Sequence, residues 1–213
     1  INTINLVSGT ATKDETITDQ AFSPRFGIVY KPFRNTSFFT SYSNSFIVNK
    51  GMDVDSNSLK PSIVDQFEIG VKNEFFNGKL SANVTVYRIK NSNLAQTAPF
   101  EKDGITPNTN SSIKALMGET LSDGIEIDLA AQPVKGLNVM AGYSYNYARY
   151  VEAPNTSGSN KAGERMVNNP EHTANASLFY TFDCKYLSGL KLGATVVHIG
   201  DRFGGWNNKV DQS

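Results

Sequence analysis

An antiparallel, all-β transmembrane barrel with up-and-down strand order is the fold that three features of this 213-residue chain predict. Strand-length segments alternate apolar and polar residues with period 2, which gives a sheet one apolar and one polar face. Several segments reach the roughly 9–11 residues a tilted strand needs to cross a bilayer, beyond the roughly five or six usual in soluble sheets. The connections alternate short and long. In a meander this gathers the short turns at one end and the long loops at the other, as in bacterial outer-membrane barrels with short periplasmic turns and long extracellular loops.

Nine strand candidates follow in order. Ile1–Val7 is short. Phe22–Tyr30 sets Phe22, Phe26, Ile28 and Tyr30 against Ser23, Arg25 and Gly27. Ser37–Phe46 sets Phe38, Tyr42 and Phe46 against Ser37, Ser41, Ser43 and Ser45. The pattern is clearest in Val64–Phe76, where Phe67, Ile69, Val71 and Phe75 oppose Gln66, Glu68, Gly70, Lys72 and Glu74. In Lys79–Asn91 it places Leu80, Ala82, Val84 and Val86 opposite Ser81, Asn83, Thr85 and Tyr87. Asn77-Gly78 between these two runs predicts a two-residue type I′ hairpin turn. Ser122–Ala131 opposes Ile125, Ile127 and Leu129 to Gly124, Glu126 and Asp128. Leu137–Arg149 opposes Val139, Ala141, Tyr143, Tyr145 and Tyr147 to Asn138, Gly142, Ser144 and Asn146. Glu171–Phe182 and Leu190–Gly200 complete the set.

Lys31–Thr36, Asn77-Gly78, Gln132–Gly136 and Asp183–Gly189 are the short connections. Asn44–Ile63, Ser92–Leu121 and Tyr150–Pro170 are the long, polar ones. Tyr30, Phe75, Tyr180 and Phe182 fall beside short turns, and Phe46, Tyr87 and Tyr147 toward long loops. Two such rings are the aromatic girdles of a membrane barrel.

Composition excludes other classes. Twenty basic and twenty acidic residues balance, so no nucleic-acid partner is implied. Mean hydropathy of −0.33 excludes a bundle of membrane helices but not a barrel, whose strands meet lipid only with alternate residues. The single cysteine, Cys184, excludes an internal disulfide and a cysteine metal cluster. No signal peptide opens the chain. A spanning barrel must close, and its strand number is even in bacterial single-chain examples. Nine candidates and a polar ending over Asn207–Ser213 therefore predict a contiguous piece of a larger barrel. A complete eight-stranded barrel with Ile1–Val7 as a lead-in is the alternative.

The residues resemble a known family. Phe22-Ser-Pro-Arg-Phe-Gly-Ile-Val-Tyr-Lys-Pro32 and Ser41-Tyr-Ser-Asn-Ser-Phe46 are similar to a consecutive strand pair of TonB-dependent siderophore receptors of the ferrichrome-receptor type. Gln66-Phe-Glu-Ile-Gly-Val-Lys72, Ala82–Asn91 and Ser122-Asp-Gly-Ile-Glu-Ile-Asp128 resemble later strands. Gly142-Tyr-Ser-Tyr145, Asn169-Pro-Glu-His-Thr173 and Ser188-Gly-Leu-Lys-Leu-Gly193 continue in the family's order. The resemblance covers Phe22 to about Trp206. It implies that residues 1–213 are a segment from the C-terminal half of a 22-stranded barrel, without the plug domain, the energy-coupling box and the final strands. It also implies a Gram-negative outer-membrane location and energy-coupled uptake of an iron–siderophore substrate. The implied partners are the receptor's own plug and, through the N-terminal part, the TonB–ExbB–ExbD complex. Cobalamin, a sugar or another metal complex are alternative substrates. A small complete barrel with a structural or adhesive role, or a soluble β-sandwich, keeps other readings open.

No nucleophile-elbow, metalloprotease or phosphate-loop pattern appears, so no enzyme is expected. His172 and His198 lie on different strands with no third ligand, and no protein-bound cofactor or metal is expected. His172 is expected to begin a strand at the outer interface. Arg25, Glu68, Lys72, Glu74, Glu126 and Asp128 are expected to face the lumen, either contacting a plug or simply solvated. Ligand recognition in such a receptor belongs on long loops and outer strand ends. Tyr147, Arg149, Tyr150, Arg165, Arg202, Phe203 and Trp206 fall there, and Arg, Tyr and Trp suit anionic or aromatic siderophores. The competing reading places these residues in the girdle or against lipopolysaccharide phosphates.

Overall fold

In the computed structural model, residues 22–153, 161–204 and 211–212 are described. Ile1–Val7 lies outside them. Eight antiparallel strands form one sheet in sequence order: β1 (Arg25–Phe33), β2 (Thr36–Ile47), β3 (Ser62–Phe75), β4 (Leu80–Thr97), β5 (Lys114–Ala131), β6 (Leu137–Glu152), β7 (His172–Thr181) and β8 (Lys191–Ile199). Among the described residues β1 and β8 are the open edges. The polar tail expected over 207–213 is partly strand. Asp211–Gln212 (β10) pairs with Arg202–Phe203 (β9) in a separate two-stranded ribbon.

Register carries the alternation across the whole sheet. Ile28 lies opposite Thr40, Thr40 opposite Ile69, Ile69 opposite Val86, Val86 opposite Ile125 and Ile125 opposite Tyr145. The neighbouring row runs Ser41, Glu68, Tyr87, Gly124 and Asn146. One face is thus continuously apolar and the other polar, because a strand's side chains alternate and antiparallel pairing keeps partners on one side. The apolar face is bare: Phe67 is 56% exposed and Ile69 63%. A sheet of this kind has no core of its own. Among its buried residues, Leu59, Ser62, Ala98, Thr120, Ala148 and Tyr150 lie toward the long-loop end, and Thr85 lies mid-sheet opposite Gly70.

The short and long connections alternate as expected, with two differences in detail. The turn between β3 and β4 is four residues long. Phe76, Asn77 and Gly78 all take positive φ, and Gly78 and Lys79 donate to the carbonyls of Phe75 and Phe76. Two overlapping left-handed turns therefore replace the single two-residue turn, and Phe76 tolerates its φ of 55° on the open rim. The loop expected over Ser92–Leu121 is mostly strand. After a register shift at Asn93, which has a φ of 59°, β4 runs on to Thr97 and β5 begins at Lys114. A bulge of this kind lets a ladder continue while its alternation changes phase.

Tyr30, Phe75 and Tyr180 occupy the short-turn end of the apolar face, and Phe46 and Tyr147 its long-loop end. Tyr87 does not join them, because its phase is that of Ser81 and Thr85 and it lies on the polar face. Phe182 packs edge-on to Tyr180 at 4.9 Å between centroids. His172 begins β7, its Nδ1 2.8 Å from the Tyr143 hydroxyl.

Candidate functional site

The long-loop end of the apolar face carries a chain of charges. Arg88 follows Val84 and Val86 in phase on β4, and Asp123 precedes Ile125 and Ile127 on β5, so both continue the apolar rows. Asp123 bridges two strands: Arg88 Nε donates to its Oδ1 at 2.6 Å and Arg149 Nη1 to its Oδ2 at 3.1 Å. One row further out, Lys90 pairs with Glu119 at 2.8 Å. Asp65 accepts from the Tyr42 hydroxyl at 2.6 Å and from Asn44 Nδ2 at 2.8 Å.

Four of the candidate ligand residues meet here. Arg149 lies over the Tyr147 ring at 5.0 Å, and Arg165 lies between Tyr147 at 5.5 Å and Phe203 at 5.3 Å. Arg165 also ion-pairs with Glu171 at 2.6 Å. The β6–β7 loop and the segment after β8 are thereby fastened to the end of β6, helped by the Asn168 N–H donating to the Phe203 carbonyl. Tyr147 and Arg149 share the phase of Tyr143 and Tyr145, so they sit at the rim of the apolar face, not over the polar one. Tyr150 has the opposite phase and is buried, its backbone bonded to Gly163 and Glu164. Arg202 is exposed on β9. Trp206 lies outside the described residues. Sequence position found Tyr147, Arg149, Arg165 and Phe203 but missed Arg88, Lys90, Glu119, Asp123 and Glu171. The available signal was a charge continuing an apolar phase.

The polar face carries Arg25, Glu68, Lys72, Glu74, Glu126 and Asp128, as their phase requires. Ser41 Oγ donates to Glu68 Oε2 at 3.0 Å, and Lys72 lies over the Phe39 ring at 5.4 Å. Among the described residues neither Glu68 nor Glu126 has an ion-pair partner. Three aromatic rings crowd glycines of the next strand: Phe39 at Gly70, Tyr87 at Gly124 and Phe179 at Gly193, where an added Cβ would meet ring carbons at 2.2–2.4 Å.

Above the sheet the first two long loops are clipped together. Lys114 N–H donates to the Met52 carbonyl at 2.8 Å, and Lys102 pairs with Asp55 at 2.9 Å. Asn49 Nδ2 and Ser62 Oγ both donate to the Asn93 carbonyl. Two carboxylates organise the loop backbones. Asp53 accepts the Asn57 and Asp55 N–H groups, and these bonds, led by that of Asn57, hold it below the ordinary carboxylate range against partial desolvation. Asp103 is lowered likewise by the Thr106 hydroxyl and the Ile105 and Thr106 N–H groups. Among the described residues no three His, Cys, Asp or Glu side chains converge as metal ligands would.

The family described as "TonB dependent receptor-like, beta-barrel" matches residues 3–213. The metal-pseudopaline receptor CntO of Pseudomonas aeruginosa is 27% identical over 188 residues, covering 88% of this chain and 25% of that protein. The ferrichrome outer membrane transporter/phage receptor of Escherichia coli is 28% identical over 205 residues, covering 94% and 25%. The solved ferripyoverdine receptor of the outer membrane of Pseudomonas aeruginosa superposes with a TM-score of 0.73 at 20% identity, over 95% of this chain and 26% of that one. The chain thus spans about a quarter of the length of these relatives, and its sheet is a section of their barrel fold.

Proposed function

The chain belongs to the TonB-dependent receptor-like β-barrel family, and on that premise we propose that it forms part of the wall of an outer-membrane receptor for ferric siderophore complexes. The observation that carries this reading is the two-faced sheet. Its continuous bare apolar face suits lipid, its polar face suits a water-filled or plugged lumen, and its long loops gather at one end. Families of this name are receptors and transporters, not enzymes. Relatives named for ferrichrome, ferrioxamine B and ferric pyoverdine support an iron–siderophore substrate.

In this reading the short turns face the periplasm and the loops face outward. The lumen carboxylates Glu68 and Glu126, which have no ion-pair partner among the described residues, meet basic side chains of a plug domain. TonB, energised by ExbB–ExbD, acts on a plug-bearing part of the receptor. Of the candidate ligand residues, Tyr150, whose phase is that of the polar face, and Arg202 are the ones this reading places in contact with ligand. Arg165 and Phe203 act by pinning the β6–β7 loop against β9. The metal-pseudopaline receptor among the relatives favours one second reading, in which the substrate is a complex of another metal with its own carrier.

Growth of a deletion strain on a panel of ferric siderophores and other metal–carrier complexes, each as sole metal source, decides the substrate. Loss of growth on one ferric siderophore is the expected outcome. Unimpaired growth on every ferric siderophore, with loss on another metal complex, replaces the first reading with the second.

A further inference from the structure

Beyond the band the loops fall into two groups, and among the described residues no hydrogen bond or ion pair joins one group to the other. One group is the pair clipped through Met52, Lys114, Asp55 and Lys102. The other is the return of the β6–β7 loop together with β9. Gly163 to Met166 runs beside the end of β6: the Gly163 N–H donates to the Tyr150 carbonyl at 2.8 Å, the Tyr150 N–H to that of Glu164 at 2.9 Å and the Met166 N–H to that of Ala148 at 3.0 Å. A little further on, the Asn168 N–H donates to the Phe203 carbonyl at 2.8 Å and fastens β9 to the same loop. Arg165 stands where the two attachments meet. Its guanidinium lies between the Tyr147 ring of β6 and the Phe203 ring of β9, and Glu171 at 2.6 Å balances its charge. Its side chain is 18% exposed, and its Nε is buried with no hydrogen-bond partner among the described residues. A guanidinium that leaves a buried donor unspent is held there by the ring faces and the ion pair.

We infer that Arg165 is a positioning residue: it joins the β6–β7 return and β9 into one cooperative unit, separate from the clipped pair, in which an opening of either segment opens both. Backbone bonds alone would let β9 leave at the cost of the Asn168 bond, with the ladder beside β6 intact. The stack removes that independence, because a guanidinium between two rings loses one of its faces when either ring departs. Lysine could pair with Glu171 but has no flat face to place between two rings. The consequence for binding rests on the proposed outward loops and ligand contacts. Tyr150 on β6 and Arg202 beside Phe203 on β9 are then presented to a ligand as one surface, and not as two loops that move apart.

The test is hydrogen exchange at single amides of the intact receptor that carries this sequence, in nanodiscs and without ligand. F203L alters β9 alone, yet the Tyr150, Gly163 and Met166 amides across the joint are expected to exchange about fivefold faster, along with Asn168. R165Q is expected to speed all four about tenfold. R165K, which keeps a charge for Glu171, is expected to fall between wild type and R165Q. The Lys114 and Ala98 amides, bonded to Met52 and Ile113, are expected to keep their wild-type rates. A rise at Asn168 alone in F203L overturns the inference. So does an equal rise at Lys114 and Ala98, which makes the loop end a single unit, or a wild-type rate in R165K, which leaves the rings no part. Should R165Q fail to assemble, F203L is decided by the same four amides. Uptake of radioactive iron from each ferric siderophore of the growth panel is then measured in cells, and both F203L and R165Q are expected to slow it. Uptake at the wild-type rate overturns the positioning role. Absent uptake in wild type sinks the transport reading and leaves the exchange result to decide the joint.

Discussion

The membrane-crossing band and the loop end of this sheet are held together by different physics. In the band, from Phe67 to Phe75 on β3 and alongside it on every other strand, position is fixed by phase: a residue is apolar or polar according to which face it meets. At the loop end that rule lapses. Asn93 breaks the register, β4 and β5 run on without alternation, and order comes from individual contacts such as Asp123 between two arginines or Met52 against Lys114. Lipid enforces the first regime, because an unpaired charge there costs several kcal/mol. Water permits the second, because it solvates whatever the contacts leave over.

The strongest way to break this comparison is to put one charge on each face of adjacent band positions. Ile127 faces the apolar side between Val84 and Tyr143, and Glu126 faces the polar side between Thr85 and Ser144. Ile127→Arg should destabilise the receptor in lipid by about 2–4 kcal/mol, and Glu126→Arg by much less, measured as denaturant midpoints of refolding into vesicles. A larger cost for Glu126→Arg would mean the faces are assigned the wrong way round.

A second, smaller effect sharpens the lumen side of the band. At Gly70 a Cβ would meet the Phe39 ring at 2.4 Å and the Val84 carbonyl at 2.6 Å. Gly70→Ala should cost about 1–3 kcal/mol as overpacking, and adding Phe39→Ala should recover only part of it, since the carbonyl cannot retreat. At Gly142 the nearest atom is the Asn175 amide at 2.8 Å, a side-chain end free to turn away. Gly142→Ala should therefore cost under about 1 kcal/mol. If the two alanine variants unfold at the same denaturant concentration, the ring-on-glycine contacts carry no register.

The same division explains what could be read in the sequence. Ile125, Ile127 and Leu129 declare their face through neighbours two residues away, so strand order, facing and the alternation of turns and loops were all legible. The strand extensions Ser92–Thr97 and Lys114–Leu121 were not, because their residues do not alternate: Ala115, Leu116 and Met117 run together, and the register shifts at Asn93. Tyr87 and Tyr147 show how phase outranks position. Both lie near long loops, yet Tyr87 shares the phase of Thr85 and faces the polar side, while Tyr147 shares that of Tyr145 and meets the apolar rim. The stacking of Arg165 between Tyr147 and Phe203 had no local signal at all, since it joins segments far apart in sequence. The ring-on-glycine pairs were half visible, as glycines in strands without a stated neighbour.

The smallest expected effect belongs to the loops, and its sign follows from their two carboxylates. Asp53 and Asp103 are lowered from 3.8 by hydrogen bonds that the charged form accepts. A folded value below the unfolded one, about 3.9, means these bonds contribute in full above about pH 4 and are lost as pH falls through the lowered values. Hydrogen exchange at pH 5 and at pH 2.5, each corrected for its intrinsic rate, should show the Asp55, Asn57, Ile105 and Thr106 amides losing protection at the lower pH. Amides of the β3–β5 ladder, which depend on no carboxylate, should keep theirs. Asp103→Asn should give Ile105 and Thr106 their low-pH exchange at both values while leaving Asp55 and Asn57 unchanged. Loop protection that ignores pH would show that backbone ties such as Lys114 to Met52, and not the carboxylates, hold the loop end. The contrast between a phase-ordered band and a contact-ordered rim would then need a different account of the rim.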